Sequence, residues 1–239
     1  MTTVPFPAFS HQNAKAAGLD ALRYSSGEKS GLELERSEVF VERPFPIARW
    51  VGLALFAVWG CAYAHYWGAQ DFLYICNVAV VLTCAGLWFG NSLLLSSQAV
   101  STLVIGTLWG IDVAWSAFTH GHALIGGTEY MWDASRPLWV RLLSFDHLAV
   151  PATALWAIRK VGYDRRAWGF QSGVAAVVLL LSRWVAPERN LNFAQKELVT
   201  YHSWGPWPTH LLFLWCMLVL LLYWPVHALL CRTTPSKTS

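Results

Sequence analysis

The chain has 239 residues, 55% hydrophobic and 13% charged, with a formal net charge of +3. With the long apolar runs described below, this is a membrane composition rather than that of a soluble globule. The lysines and arginines are scattered, which argues against nucleic acid as a partner. Five cysteines (Cys61, Cys76, Cys84, Cys216 and Cys231) without CxxC or zinc-type spacing argue against a disulfide framework.

Residues 1–46 are polar, mixed in charge and broken by Pro5, Pro7, Pro44 and Pro46. They read as a soluble N-terminal arm, with a short helix expected around Asn13–Arg23 and an extended or interfacial piece at Val39 and Val41. The opening MTTVPFPAFSHQNAKAAG has no apolar stretch of the kind a cleavable signal carries, so the first true span is expected to direct insertion. Six apolar segments follow, at about 47–67, 72–90, 92–118, 138–158, 169–186 and 207–230. A helix needs ~17–25 residues to cross ~30 Å of hydrocarbon, and the clear segments meet that length. The expected fold is therefore all-α: a polytopic membrane bundle of six transmembrane helices over residues 47–231, followed by a short cytoplasmic tail at 232–239. The third segment is long for one crossing and is expected to tilt or project. The fourth is the least apolar, because it holds Arg141, Asp146 and His147, and hydropathy alone would also accept five spans.

Loop charges orient the bundle. With six spans and both termini cytoplasmic, nine lysines and arginines near the membrane fall inside and five outside. The cluster Arg159, Lys160, Arg165 and Arg166 carries most of this bias. That orientation brings Cys76, Asn77, Asp112, His120, His122, Asp146 and His147 toward the outer half. The spacings Gly86-x-x-x-Gly90 and Gly106-x-x-x-Gly110 are expected to serve close helix packing. Fifteen tryptophans suit the membrane–water interfaces, and Trp109/Trp115 and Trp204/Trp207 are read as part of such a belt.

The segment L-L-S-F-D-H-L-A-V-P (142–151) places two ionisable side chains where burial is costly, which marks a site by default. Pro151 follows His147 by four residues, so a helix here leaves the His147 carbonyl without its backbone partner. Three chemistries compete. In the first, Cys76 is a nucleophile activated by His147 as base. Asp146 or Asp112 would orient the imidazole. Asp112 is the better choice, because adjacent helix residues do not face each other. Asn77 is the candidate oxyanion donor. The plain alternative for Cys76 is a small buried hydrophobe, and for His147 a hydrogen bond to a neighbouring helix. In the second, His120-x-His122 holds a metal with His65, Asp112 or His147, although the repeated histidine boxes of membrane di-iron enzymes are absent. In the third, the protein is a non-enzymatic lipid- or pigment-binding accessory subunit of a larger membrane complex. No cofactor is expected.

Three segments together, L-Y-I-C-N-V-A-V-V-L (73–82), the His147 stretch, and N-L-N-F-A-Q-K…W-G-P-W-P (190–208), resemble the YwaF-like integral membrane proteins. The resemblance covers roughly residues 50–230, with G-P-W-P its most specific piece. Asn-Leu-Asn-Phe replaces the Asn-Tyr usual there, and F-D-H-L differs from the simpler histidine-glycine context. That family looks related to a eukaryotic transmembrane acyltransferase of ether-phospholipid metabolism, which uses a cysteine and a histidine. More distantly it looks similar to the androgen-induced hydrolases of fatty-acid esters. The resemblance implies a lipid acyltransferase or ester hydrolase with Cys76 as nucleophile and His147 as base, acting on membrane lipids.

Overall fold

The computed structural model describes residues 44–197 and 201–235. Most of the expected arm, including the helix expected around Asn13–Arg23 and the piece at Val39 and Val41, lies outside the described residues, as do residues 236–239. Regular structure among the described residues is helical, without a strand. Six helices of ten or more residues carry it: α1 (Ala48–Tyr66), α2 (Ile75–Phe89), α3 (Ser92–Phe118), α4 (Asp146–Val161), α5 (Ala167–Trp184) and α6 (Trp207–Thr233).

Two of these, α3 and α6, each 27 residues, are long and apolar enough to cross a membrane. The expectation of six such spans is thus met at two. Helix α2 is apolar but has 15 residues, or ~22 Å at ~1.5 Å per residue. The fourth expected span is not one helix. A short helix at Leu138–Leu142 and a 3-10 turn at Leu143–Phe145 precede α4, so Asp146 and His147 stand in the first turn of a helix rather than inside one. At that end a helix favours acidic groups, which suits Asp146. Phe45, assigned from sequence to the arm, is 1% exposed and packs 5.4 Å from the Trp156 ring.

Helices α2 and α3 join through a tight corner. Gly90 takes the left-handed conformation (φ 65°) that closes α2, and Asn91 caps α3 by accepting from the Leu94 N–H at 3.1 Å. The first small-residue pair therefore builds this corner, with Gly86 against Leu95 and Gly90 against Pro44. The second pair is a true helix crossing. A Cβ at Gly106 would collide with the backbone carbonyl oxygen of His147, the group that Pro151 leaves without a helical partner. Gly110 packs against the Leu148 side chain. In α6, the turn Met217–Tyr223 widens to a π-helix just before Pro225, which has no N–H to offer the Leu221 carbonyl.

The bundle holds a polar cluster inside its apolar core and leaves apolar side chains on its outer surface. Ser96, Ser97, Gln98 and Ser101 of α3 and Gln171 of α5 are at most 1% exposed. Gln171 Nε2 donates to Ser101 Oγ at 3.0 Å and Gln98 Nε2 to Ser97 Oγ at 2.8 Å. On the outside, Leu212, Leu220 and Leu221 of α6, with Ile47, Trp50, Leu55 and Val58 on or beside α1, are more than half exposed.

The crossing yields an ordered prediction. Gly106→Ala must displace backbone and should cost about 1–3 kcal/mol, the usual range for forced overpacking. Gly110→Ala meets the movable end of Leu148 and should cost less. Thermal denaturation of the purified protein in detergent measures both, and equal melting points for the two variants would contradict the crossing.

Candidate functional site

Cys76 occupies the first turn of α2, whose start is fixed by a residue far along the chain. Asn192 Oδ1 accepts from the Ile75 N–H at 2.9 Å, and its Nδ2 donates to the Leu73 carbonyl and to Ser182 Oγ, both at 2.7 Å. Nearby, Arg189 pairs with Asp71 at 3.1 Å and donates to the Trp67 carbonyl at 2.7 Å. The segment between α5 and α6 thereby clamps the connection between α1 and α2.

His147 is held on three sides. Its Nδ1 lies 2.7 Å from Asp146 Oδ1 and 2.9 Å from the Ser144 carbonyl. With the proton on Nδ1 and shared between those acceptors, Nε2 carries the lone pair. The imidazole stacks on Trp109 of α3, ring centroids 4.9 Å apart and planes 19° apart. Trp109 Nε1 in turn donates to Tyr130 Oη at 3.1 Å. The expectation that neighbours in sequence do not meet fails here, because Asp146 starts the helix directly after a 3-10 turn.

Cys76, Asp146 and His147 line one cavity with Ser101, Thr102, Gly106 and Pro151. The thiol and the imidazole thus border the same space. The cavity measures about 20 Å³, room for one water. Tyr130 joins the site through the hydrogen bond it accepts from Trp109, the ring on which His147 stacks. Burial pushes the Tyr130 hydroxyl above its ordinary value, so it stays neutral at physiological pH.

Two expected members take other roles. Asp112 does not reach His147. Its Oδ1 accepts from the backbone N–H groups of Leu124 at 2.8 Å and Ile125 at 2.5 Å, and its Oδ2 from Thr128 Oγ1, so it organises the loop after α3. Asn77 is 1% exposed and donates from Nδ2 to the Asp71 carbonyl at 2.8 Å, while its Oδ1 accepts from Cys76 Sγ at 3.7 Å. Its amide is therefore engaged as structure rather than turned to an oxyanion. His120 and His122 lie in the loop that Asp112 organises, and the His122 carbonyl accepts from Thr119 Oγ1 at 2.8 Å. Among the described residues no three His, Cys, Asp or Glu are grouped to hold a metal. Trp109, read as part of an interfacial belt, is 9% exposed and belongs to the site, whereas Trp115 is 47% exposed.

Sequence reasoning missed Tyr130 and Asn192. The doubled asparagine in N-L-N-F was a signal for Asn192, since asparagine readily takes the left-handed conformation it adopts at φ 51°. No protein-family model, curated protein or solved structure matches the chain.

Because Asp112 acts on a loop, Asp112→Asn should speed hydrogen exchange at residues 124–128 without changing alkylation of Cys76. Asn192→Ala should do the reverse. It removes the cap on α2, worth about 1 kcal/mol, and should change the Cys76 alkylation rate while exchange at 124–128 stays constant.

Proposed function

We propose that this is an integral membrane protein with six membrane-embedded helices, whose Cys76–His147–Asp146 cluster transfers or hydrolyses a lipid acyl group. The membrane part rests on two long apolar helices and on the exposed apolar faces of α1 and α6. A soluble monomer rarely exposes apolar surface on that scale. Over the apolar window of α6 only 22% is buried, so its remaining surface needs lipid or a partner. The positive-inside bias favours both termini in the cytoplasm.

The chemistry rests on one observation, the shared cavity of Cys76, Asp146 and His147. In the proposed cycle, His147 Nε2 takes the Sγ proton and the thiolate attacks a lipid ester carbonyl. The leaving alcohol recovers the proton, and an acyl-thioester remains on Cys76. A lipid alcohol or water then accepts the acyl group as His147 removes its proton. Asp146 holds the ring orientation and offsets the imidazolium charge, as the carboxylate of a catalytic triad does. A space for one water admits a carbonyl oxygen but no acyl chain, so the chain stays among the helices' lipid neighbours.

The exposed apolar faces also favour a second reading, an accessory subunit that binds lipid or pigment within a larger membrane complex. Lipid turnover by purified protein in vesicles separates the two. Cys76→Ala should abolish acyl transfer, and Asp146→Asn should lower it by at least about a hundredfold, the scale of general-base assistance. Full activity in Cys76→Ala would remove the catalytic reading. Absence of turnover, with stoichiometric co-purification of another membrane subunit, would establish the second.

A further inference from the structure

A second thiol–imidazole pair stands at the other end of α4 from His147. The helix has 16 residues, so the two sites lie ~24 Å apart at ~1.5 Å per residue. Tyr163, just beyond α4, is 1% exposed and its Oη lies 2.7 Å from His227 Nδ1 on α6. One turn along α6, Cys231 Sγ is 3.6 Å from His227 Nε2. The rings of Trp168 and Trp224 flank the imidazole, with centroids 6.3 and 5.8 Å away.

A cysteine four residues from a histidine is an ordinary helix neighbour. The third group sets this pair apart, because the Tyr163 hydroxyl fixes the ring. With the proton on Nδ1 donated to Tyr163 Oη, Nε2 is the unprotonated ring nitrogen, and Sγ sits beside the ring at 3.6 Å from Nε2 and 3.9 Å from Nδ1. Like Cys76 and His147, Cys231 and His227 are partly buried. The latter pair is also rimmed by positive charge. Arg165 acts electrostatically on His227, and Arg232 follows Cys231. Beside it, Trp224 and Leu229 of α6 are half exposed, at 50% and 52%, an apolar strip on which a long chain can lie.

We propose that Cys231 is an S-acylation site, taking a long-chain acyl group from a thioester whose carrier bears phosphates, as coenzyme A does. A cysteine beside the membrane end of a helix is the position at which such modification occurs. His227 Nε2 removes the Sγ proton and Sγ attacks the thioester carbonyl. The carrier thiolate leaves and takes the proton from His227, so one thioester is broken and one formed. The basic rim receives the carrier's phosphates, and the acyl chain passes into the lipid along α6. This site is independent of the chemistry at Cys76.

Purified protein in detergent, incubated with alkyne-tagged palmitoyl-coenzyme A, tests it. Hydroxylamine-labile label should map to the peptide holding Cys231, disappear in Cys231→Ser, and persist in Cys61→Ser, which removes the exposed thiol of α1. His227→Gln should slow labelling by about a hundredfold if the imidazole acts as base, with the melting temperature unchanged. Should that variant fail to fold, Tyr163→Phe carries the same comparison, with slower labelling expected. Label that maps to another cysteine, a wild-type protein that takes up none, or an unchanged rate in the folded His227 or Tyr163 variant would each overturn the assignment.

Discussion

The site depends on the contact between Gly106 of α3 and the His147 carbonyl of α4. Pro151 deprives that carbonyl of its helical hydrogen bond, and an unsatisfied backbone group in an apolar interior is costly. The fold seats it against the one residue that has no Cβ to obstruct the approach. Thr102 and Trp109 share a face of α3 with Gly106, at the i, i+4 and i+7 spacing of a helix stripe. The stripe thus places a cavity wall, a close approach and a stacking surface in line, and His147 rests on all three.

Around that crossing polar side chains are set into an otherwise apolar core, and apolar side chains also cover the outside. The serines and glutamines of α3 and α5 bond to one another inside, and leucines of α6 face outward. Between helices in lipid, hydrogen bonds and close packing supply the association that hydrophobic burial supplies in water. The same interior lends the cavity its hydroxyl lining at Ser101 and Thr102. Packing and site are in this sense built from one set of residues on α3.

Helix positions were largely readable from sequence, since α1, α3, α5 and α6 begin within two residues of the expected segments. The break before Asp146 was not, because the run from Leu138 to Pro151 is apolar enough to read as one helix and the 3-10 turn leaves no compositional trace. That break decided the partner of His147. A rule valid inside a regular helix pointed to Asp112, while the actual helix start brings Asp146 to Nδ1. Cys76 and His147 could be paired from sequence because the expected orientation put both in the outer half, and the structure has them line one cavity. Tyr130 could not, because it reaches the site on a loop whose path is set by backbone donation to Asp112.

The clamp made by Asn192 bears on how the site is assembled during biosynthesis. The asparagine that caps α2 lies 117 residues downstream of the Ile75 N–H it receives. A ribosome has therefore made five of the six helices before the turn bearing Cys76 gains its cap. Until then the thiol sits on an unfastened helix end, and a nascent chain released before that loop emerges would carry the cysteine and the histidine without the means to hold them together.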